Sequence, residues 1–167
     1  YTKINKENIS YINKKFNIEK FDSFQGIKQG IENTNYLLKT KAKKYILTIF
    51  EKRVSNKELP FFMKLMEILN NYEINCPRPI KNKEGNYLFE LKNKKACIVT
   101  FLDGHDKKVL SNKNCYEIGK IIARMHVITK KIKIFRKNSM GINNLKPLLK
   151  SIKFKKKEDN NIEKFLK

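Results

Sequence analysis

The order of strand-like and helix-like strings between residues 19 and 104 constrains this 167-residue chain more than any other feature. Residues 33–40 and 44–51 are rich in β-branched and aromatic side chains, most clearly in KKYILTIFE, and a short lysine-rich turn joins them. One amphipathic stretch follows, LPFFMKLMEILNN, with Pro60 in its first turn, where a missing N–H matters least. It is expected to bury Phe61, Phe62, Leu65, Met66 and Leu69, and Ser55 with Glu58 has the spacing of a capping box ahead of it. Residues 95–102 (KACIVTFL) are almost wholly apolar, as expected of a buried central strand. Residues 19–27 alternate toward an earlier strand ending at Gly26. Glu84-Gly85-Asn86 reads as a hairpin turn between Ile80 and residues 87–91. Strands on both sides of one helix predict an α+β unit of five antiparallel strands and one packed helix, complete near residue 101.

The flanks read as helical. Residues 6–17 place Ile9, Tyr11, Ile12 and Phe16 at helical spacing with Asn5 as the cap. After a polar connection, Ser111 opens NKNCYEIGKIIARMH, which lines up Ile118, Ile121, Ile122 and Met125 on one face. Residues 135–144 are irregular, and LKPLLKSI has the composition of a short helix. The last residues, KKKEDNNIEKFLK, begin another helical pattern and stop without a cap, the pattern of a cut chain; the first residue is Tyr1 with no initiator Met. The expected organisation is therefore a sheet-containing lobe over 1–101, a connection over 102–110, and the start of a helical lobe over 111–167.

Composition narrows the function classes. The formal net charge of +22 invites a nucleic-acid reading, but 34 of the 38 basic residues are Lys and only 4 are Arg, scattered along the chain. Ile (21) and Asn (20) are inflated alongside Lys, as an AT-rich coding sequence produces. A phosphate-reading face favours the planar fork of Arg, so a solvated lysine surface is the better reading and a basic nucleic-acid module the alternative. No apolar run approaches the ~20 residues of a membrane span, and the N-terminus lacks the pattern of a secretory leader. Cys76, Cys97 and Cys115 are odd in number and far apart, which excludes a zinc or disulfide framework among them. Cys97 and Cys115 read as small core residues, and a reducing cytoplasm is the expected setting.

The strings GIENTNYLLKT, YILTIFE, LPFFMKLM, NCPRPI and ACIVTFLDG, in that order, resemble the type II homoserine kinases. That family lies in the aminoglycoside phosphotransferase and choline kinase-like branch of the protein-kinase-like fold. The resemblance implies a nucleotide-binding lobe at 1–101, a hinge at 102–110, and an incomplete helical lobe beyond. It implies ATP and Mg²⁺ as cofactors and L-homoserine as the phosphate acceptor, giving O-phospho-L-homoserine for threonine synthesis. Within it, Gly30, Asn33 and Thr34 are expected to meet phosphate. Ile46 would roof the adenine, and Thr100, Phe101 and Leu102 would form the hinge that pairs with its edge.

Thr48 occupies the strand position where protein kinases carry a phosphate-binding Lys, and a hydroxyl has no Coulombic grip to replace it. Lys28, Lys39 and Lys44 are the unranked candidates to compensate. Glu58 and Glu67 are candidates for the helix Glu, against a cap for the first and a solvated face for the second. Asp103 and His105 read as linker residues, His126 as a structural helix end, and Arg136 and Asn138 as pocket or loop-bracing residues. The catalytic Asp and the metal-holding Asn and Asp of this chemistry, in H-x-D-x-x-x-x-N and D-F-type motifs, do not occur within residues 1–167 and are expected C-terminal to them. A kinase for choline, an aminoglycoside or another small alcohol is the alternative within the same fold.

Overall fold

The computed structural model describes residues 2–28, 32–51, 55–138 and 141–151. Helix α1 (Lys6–Lys15) precedes strands β1 (Ser23–Ile27), β2 (Thr34–Lys39) and β3 (Lys44–Ile49). Helix α2 (Leu59–Asn71), strands β4 (Leu88–Leu91) and β5 (Lys94–Thr100), and helices α3 (Asn112–Thr129) and α4 (Ile142–Ser151) follow. The five strands form one antiparallel sheet in the order β1-β2-β3-β5-β4, so the most apolar strand, β5, lies between β3 and β4. The chain divides into two compact units, Tyr1–Ile134 and Phe135–Lys167.

Both faces of the sheet are used. Leu38, Tyr45, Leu47, Ile49, Ala96 and Ile98 point to one face and are buried with Ile9, Ile12 and Phe16 from α1 and its exit. Asn5 and Asn8 close a reciprocal capping box at the start of α1, which satisfies backbone donors that the helix leaves open. The alternate residues Ile46, Cys97 and Val99 point to the other face, where Met63, Phe62 and Met66 of α2 cover them. Two helices thus sandwich the sheet where one was expected from the residue pattern to pack on it. The period of two along each strand dictates this, because β3 and β5 alternate apolar with apolar and need a cover on each side.

The expectations for the start of α2 and for the turns change. Helix α2 starts at Leu59 with Glu58 at its N-cap, and no side chain makes a cap hydrogen bond. Ser55 instead belongs to a preceding turn, its carbonyl accepting from the Glu58 N–H at 2.9 Å, so no Ser55–Glu58 box forms. Glu84-Gly85-Asn86 turns the chain, with Gly85 at φ +82° and the Asn82 N–H donating to the Asn86 carbonyl. The hairpin of the sheet lies elsewhere: Lys92 and Asn93, at φ +51° and +59°, join β4 to β5 as a two-residue turn. Residues 79–80 pair with β5, through a Pro79–Val99 bridge and an Ile80 N–H to Ile98 carbonyl bond, rather than with β4.

Cys97 is buried as expected, but Cys115 is exposed. It lies in the first part of α3, whose expected core face is also open: Ile118, Ile121 and Ile122 are each roughly half exposed. Among the described residues, the apolar contacts of helix α3 with the elements before it lie near its C-terminal end. There Met125 and the buried Ile128 join Leu65, Leu69, Ile74 and Cys76, and Arg124 donates to the Tyr72 carbonyl at 2.8 Å.

Candidate functional site

Register decides which residues share a surface. On the face that α2 partly covers, Gln25, Leu37, Ile46 and Val99 form one row across β1, β2, β3 and β5. Ile27, Asn35, Thr48 and Cys97 form the next. Helix α2 buries the β5 end of both rows, whereas Ile27, Asn35, Leu37, Ile46 and Thr48 are only half-buried. The result is a shallow surface over β1–β3, apolar in the first row and polar at its centre in the second. Thr48 donates its hydroxyl proton to the Asn35 carboxamide oxygen at 2.8 Å.

The expected site residues separate accordingly. Ile46 and Thr48 stand two residues apart on this surface, as their strand requires. Thr34 does not join them. It is buried on the opposite face, where its hydroxyl donates to the Glu51 carboxylate. Glu51 also accepts from the Thr2 N–H at 3.0 Å and the Thr2 hydroxyl at 2.8 Å, and forms an ion pair with Lys94. The Lys94 ammonium and the Thr34 and Thr2 donors hold the Glu51 carboxyl at about 2, well below the ordinary carboxylate value. Asn33 is half-buried immediately before β2, and Gly30 lies outside the described residues.

Asn35, not Thr34, is the side chain that β2 presents beside Thr48. The signal is in the strand itself: Leu38 and Tyr36 face the α1 core, so Thr34 shares their side and Asn35 shares the side of Leu37.

At the other end of the sheet, β5 runs out at Thr100. The Thr100 N–H donates to the Arg78 carbonyl at 2.9 Å and the Phe101 N–H to the Lys44 carbonyl at 3.2 Å. Those two donors are therefore spent within the sheet, and the exposed connection begins at Leu102. Lys44 stacks over the Phe101 ring at 5.2 Å and reaches Asp103 at 3.5 Å. Both partners of that ion pair are solvated, so it contributes little. A cleft of about 790 Å³ opens around this end, lined by Tyr45, Arg78, Lys81, Tyr87, Thr100 and Phe101 among others. Ile46 and Thr48 are not part of its wall.

The helix acids are engaged elsewhere. Glu67 accepts from the Tyr87 phenol and pairs with Lys64 at 2.7 Å and Lys81 at 3.5 Å. Lys64 and Tyr87 hold its carboxyl at about 2. Burial, and then the hydrogen bond to Glu67, push the Tyr87 phenol up to about 12. Lys39 and Lys44 are register partners at the Thr100 end of the sheet, and Lys28 is exposed just past β1. His105 and His126 are exposed. Arg136 and Asn138 belong to the second unit, where the Asn138 carbonyl accepts from Gly141 and Asn144 at the start of α4. Among the described residues no three His, Cys, Asp or Glu side chains gather as a metal site. No helix of the described residues is long and apolar enough to cross a membrane.

A five-stranded antiparallel sheet with one helix on each face, half-open over β1–β3 and leading from β5 through an exposed connection into a long helix, defines the small lobe of a kinase-like phosphotransferase fold. Residues 23–151 match the model of the phosphotransferase enzyme family, and the chain belongs to that family. It is 37% identical over 151 residues to a homoserine kinase of Parvibaculum lavamentivorans, covering 90% of this chain and 47% of the relative. A homoserine kinase of Paramagnetospirillum magneticum is 37% identical over 153 residues, with 92% and 47% covered. The chain thus spans about half the length of the curated relatives it matches.

Among solved structures it resembles a spectinomycin phosphotransferase in complex with ADP and spectinomycin (TM-score 0.66, 16% identity, 93% of this chain and 50% of that one). It also resembles a microcompartment-associated aminopropanol kinase (TM-score 0.63, 12% identity, 86% and 47%). These likenesses show the fold.

Proposed function

We propose that the whole protein is a homoserine kinase, which transfers the γ-phosphate of ATP to the side-chain hydroxyl of L-homoserine and so supplies O-phospho-L-homoserine for threonine synthesis in the cytoplasm. The observation that carries this is the relationship to homoserine kinases at 37% identity over nine-tenths of the chain. It far exceeds the 12–16% shared with kinases of other substrates. In this reading residues 1–101 are the nucleotide lobe, 102–110 the hinge and 111–167 the start of the helical lobe. Leu37 and Ile46 supply the half-open apolar surface an adenine ring needs, and the Asn35–Thr48 pair lies one row along, where a phosphate chain would run. Leu102 is the first residue past β5 whose backbone groups are free of the sheet to pair with the adenine edge.

Mg²⁺ would be held, and the acceptor hydroxyl deprotonated, by residues outside these 167. This chemistry depends on positioning and charge neutralisation, so the lobe alone should bind nucleotide weakly and turn nothing over. The test is a substrate panel on the complete gene product: L-homoserine, choline, an aminoglycoside and a small amino alcohol, each read by acceptor-dependent ADP release. Preference for homoserine supports the reading, and preference for another alcohol replaces it. Phosphorylation of homoserine by the 167-residue chain at a rate near that of the full-length enzyme would show that the engine lies within these residues after all.

A further inference from the structure

We propose that Asn35, oriented by Thr48, donates its carboxamide N–H groups to the nucleotide's phosphate oxygens, so that this sheet grips phosphate through neutral hydrogen bonds where a strand cation would otherwise stand. The inference rests on the nucleotide-binding reading above and assigns the residue that does the work of the missing lysine.

The geometry is specific. Asn35 and Thr48 are direct register partners on neighbouring strands, and the Thr48 hydroxyl donates to Asn35 Oδ1 at 2.8 Å. Accepting through Oδ1 fixes the amide's orientation and leaves both Nδ2 protons pointing away from that bond. No partner for Nδ2 is found among the described residues. Nor is it among their buried side-chain atoms without a hydrogen-bond partner, so Asn35 Nδ2 is open to solvent.

Backbone pairing of β2 with β3 sets the two side chains side by side. Thr34, one residue before Asn35, is tied on the opposite face to Glu51, which Lys94 and Thr2 also bind. Alternation along the strand turns the next side chain to the front.

Among the described residues, the two rows of the open surface contain no Lys or Arg in β1, β2, β3 or β5, and Lys28 stands exposed past the end of β1, beyond Ile27. Lys39 lies four residues from Asn35 along β2, about 13 Å at the rise of an extended strand. Lys44 is engaged with Phe101 and Asp103 at the same far end. A neutral donor pair grips phosphate less strongly than an ammonium, but its planar amide fixes the direction of the contacts.

The test compares adenosine with ADP on the complete gene product by calorimetry, for wild type, Asn35→Asp, Asn35→Ala and Thr48→Val. Asn35→Asp is isosteric and still accepts from Thr48, but it replaces the donors by a charge that repels phosphate. The expected result is a fall in ADP affinity of about tenfold to a hundredfold, the worth of a hydrogen bond to a charged group, with adenosine affinity unchanged. Asn35→Ala should fall in the same sense by less, and Thr48→Val by less again. Melting temperatures without ligand separate these effects from loss of fold. If wild type favours ADP over adenosine and Asn35→Asp keeps the same ratio, the assignment of Asn35 is overturned while nucleotide binding stands. If wild type binds neither compound, the nucleotide reading itself falls.

Discussion

Glu51, at the exit of β3, forms an ion pair with Lys94 at the start of β5, and the Thr34 hydroxyl at the start of β2 donates to the same carboxylate. One half-buried acid therefore ties three strand ends and, through Thr2, the N-terminal segment. The Tyr36 phenol reinforces that last link: it donates to the Thr2 carbonyl at 3.0 Å and accepts from the Ile4 N–H at 3.2 Å.

Removing the charge at Glu51 should therefore cost stability in a pH-dependent way. Its folded carboxyl lies near 2, against an ordinary value of 4.5. A depressed carboxylate contributes stability that is complete above its unfolded value and is lost as pH falls from about 4.5 through about 2. Glu51→Gln is expected to lose about 1–3 kcal/mol at pH 7 and to show a smaller further loss on acidification than wild type. Urea unfolding at pH 7, 4.5 and 3 checks it; parallel wild-type and variant curves would show that the network contributes nothing.

The centre of the sheet is a second sensitive point. Ile98 is fully buried on β5 opposite Leu47, also fully buried on β3. Ile98→Ala leaves a cavity between two packed layers and should cost about 2–5 kcal/mol, a large part of a single domain's stability. The check is a lowered urea midpoint with an unchanged slope.

The β4–β5 hairpin can be improved. Lys92 and Asn93 both occupy positive φ, which Asn tolerates and Lys does not favour. Replacing Lys92-Asn93 by Asn-Gly should stabilise by about 0.5–1 kcal/mol and raise Tm by a few degrees. An unchanged or lower Tm would count against the turn geometry.

Tyr87→Phe removes the phenol donor from Glu67 but leaves Lys64 and Lys81 in place. The Glu67 carboxyl, near 2 in the wild type, should rise toward 4.5 without reaching it. The stability it contributes would then be lost over a narrower window below pH 4.5, at a cost of about 1 kcal/mol at neutral pH. Carboxyl titration by NMR reads the shift directly.

Local pattern determined much of this molecule. The alternation in YILTIFE, the apolar run of ACIVT, the single amphipathic helix around Pro60 and the Asn5 cap are all short-range signals, and each element forms where those signals lie. Family membership was legible for the same reason, because GIENTNYLLKT and LPFFMKLM are continuous strings. Which side chains meet was decided by tertiary structure. Thr34 and Asn35 are neighbours in sequence, and pleating sends them to opposite faces, but only the fold brings one to the Glu51 network and the other to Thr48. Likewise α3 carries an amphipathic pattern over Ile118, Ile121 and Ile122, but burial depends on what packs against it, and among the described residues its first part stays open. A period along the chain sets direction; a partner across space sets contact.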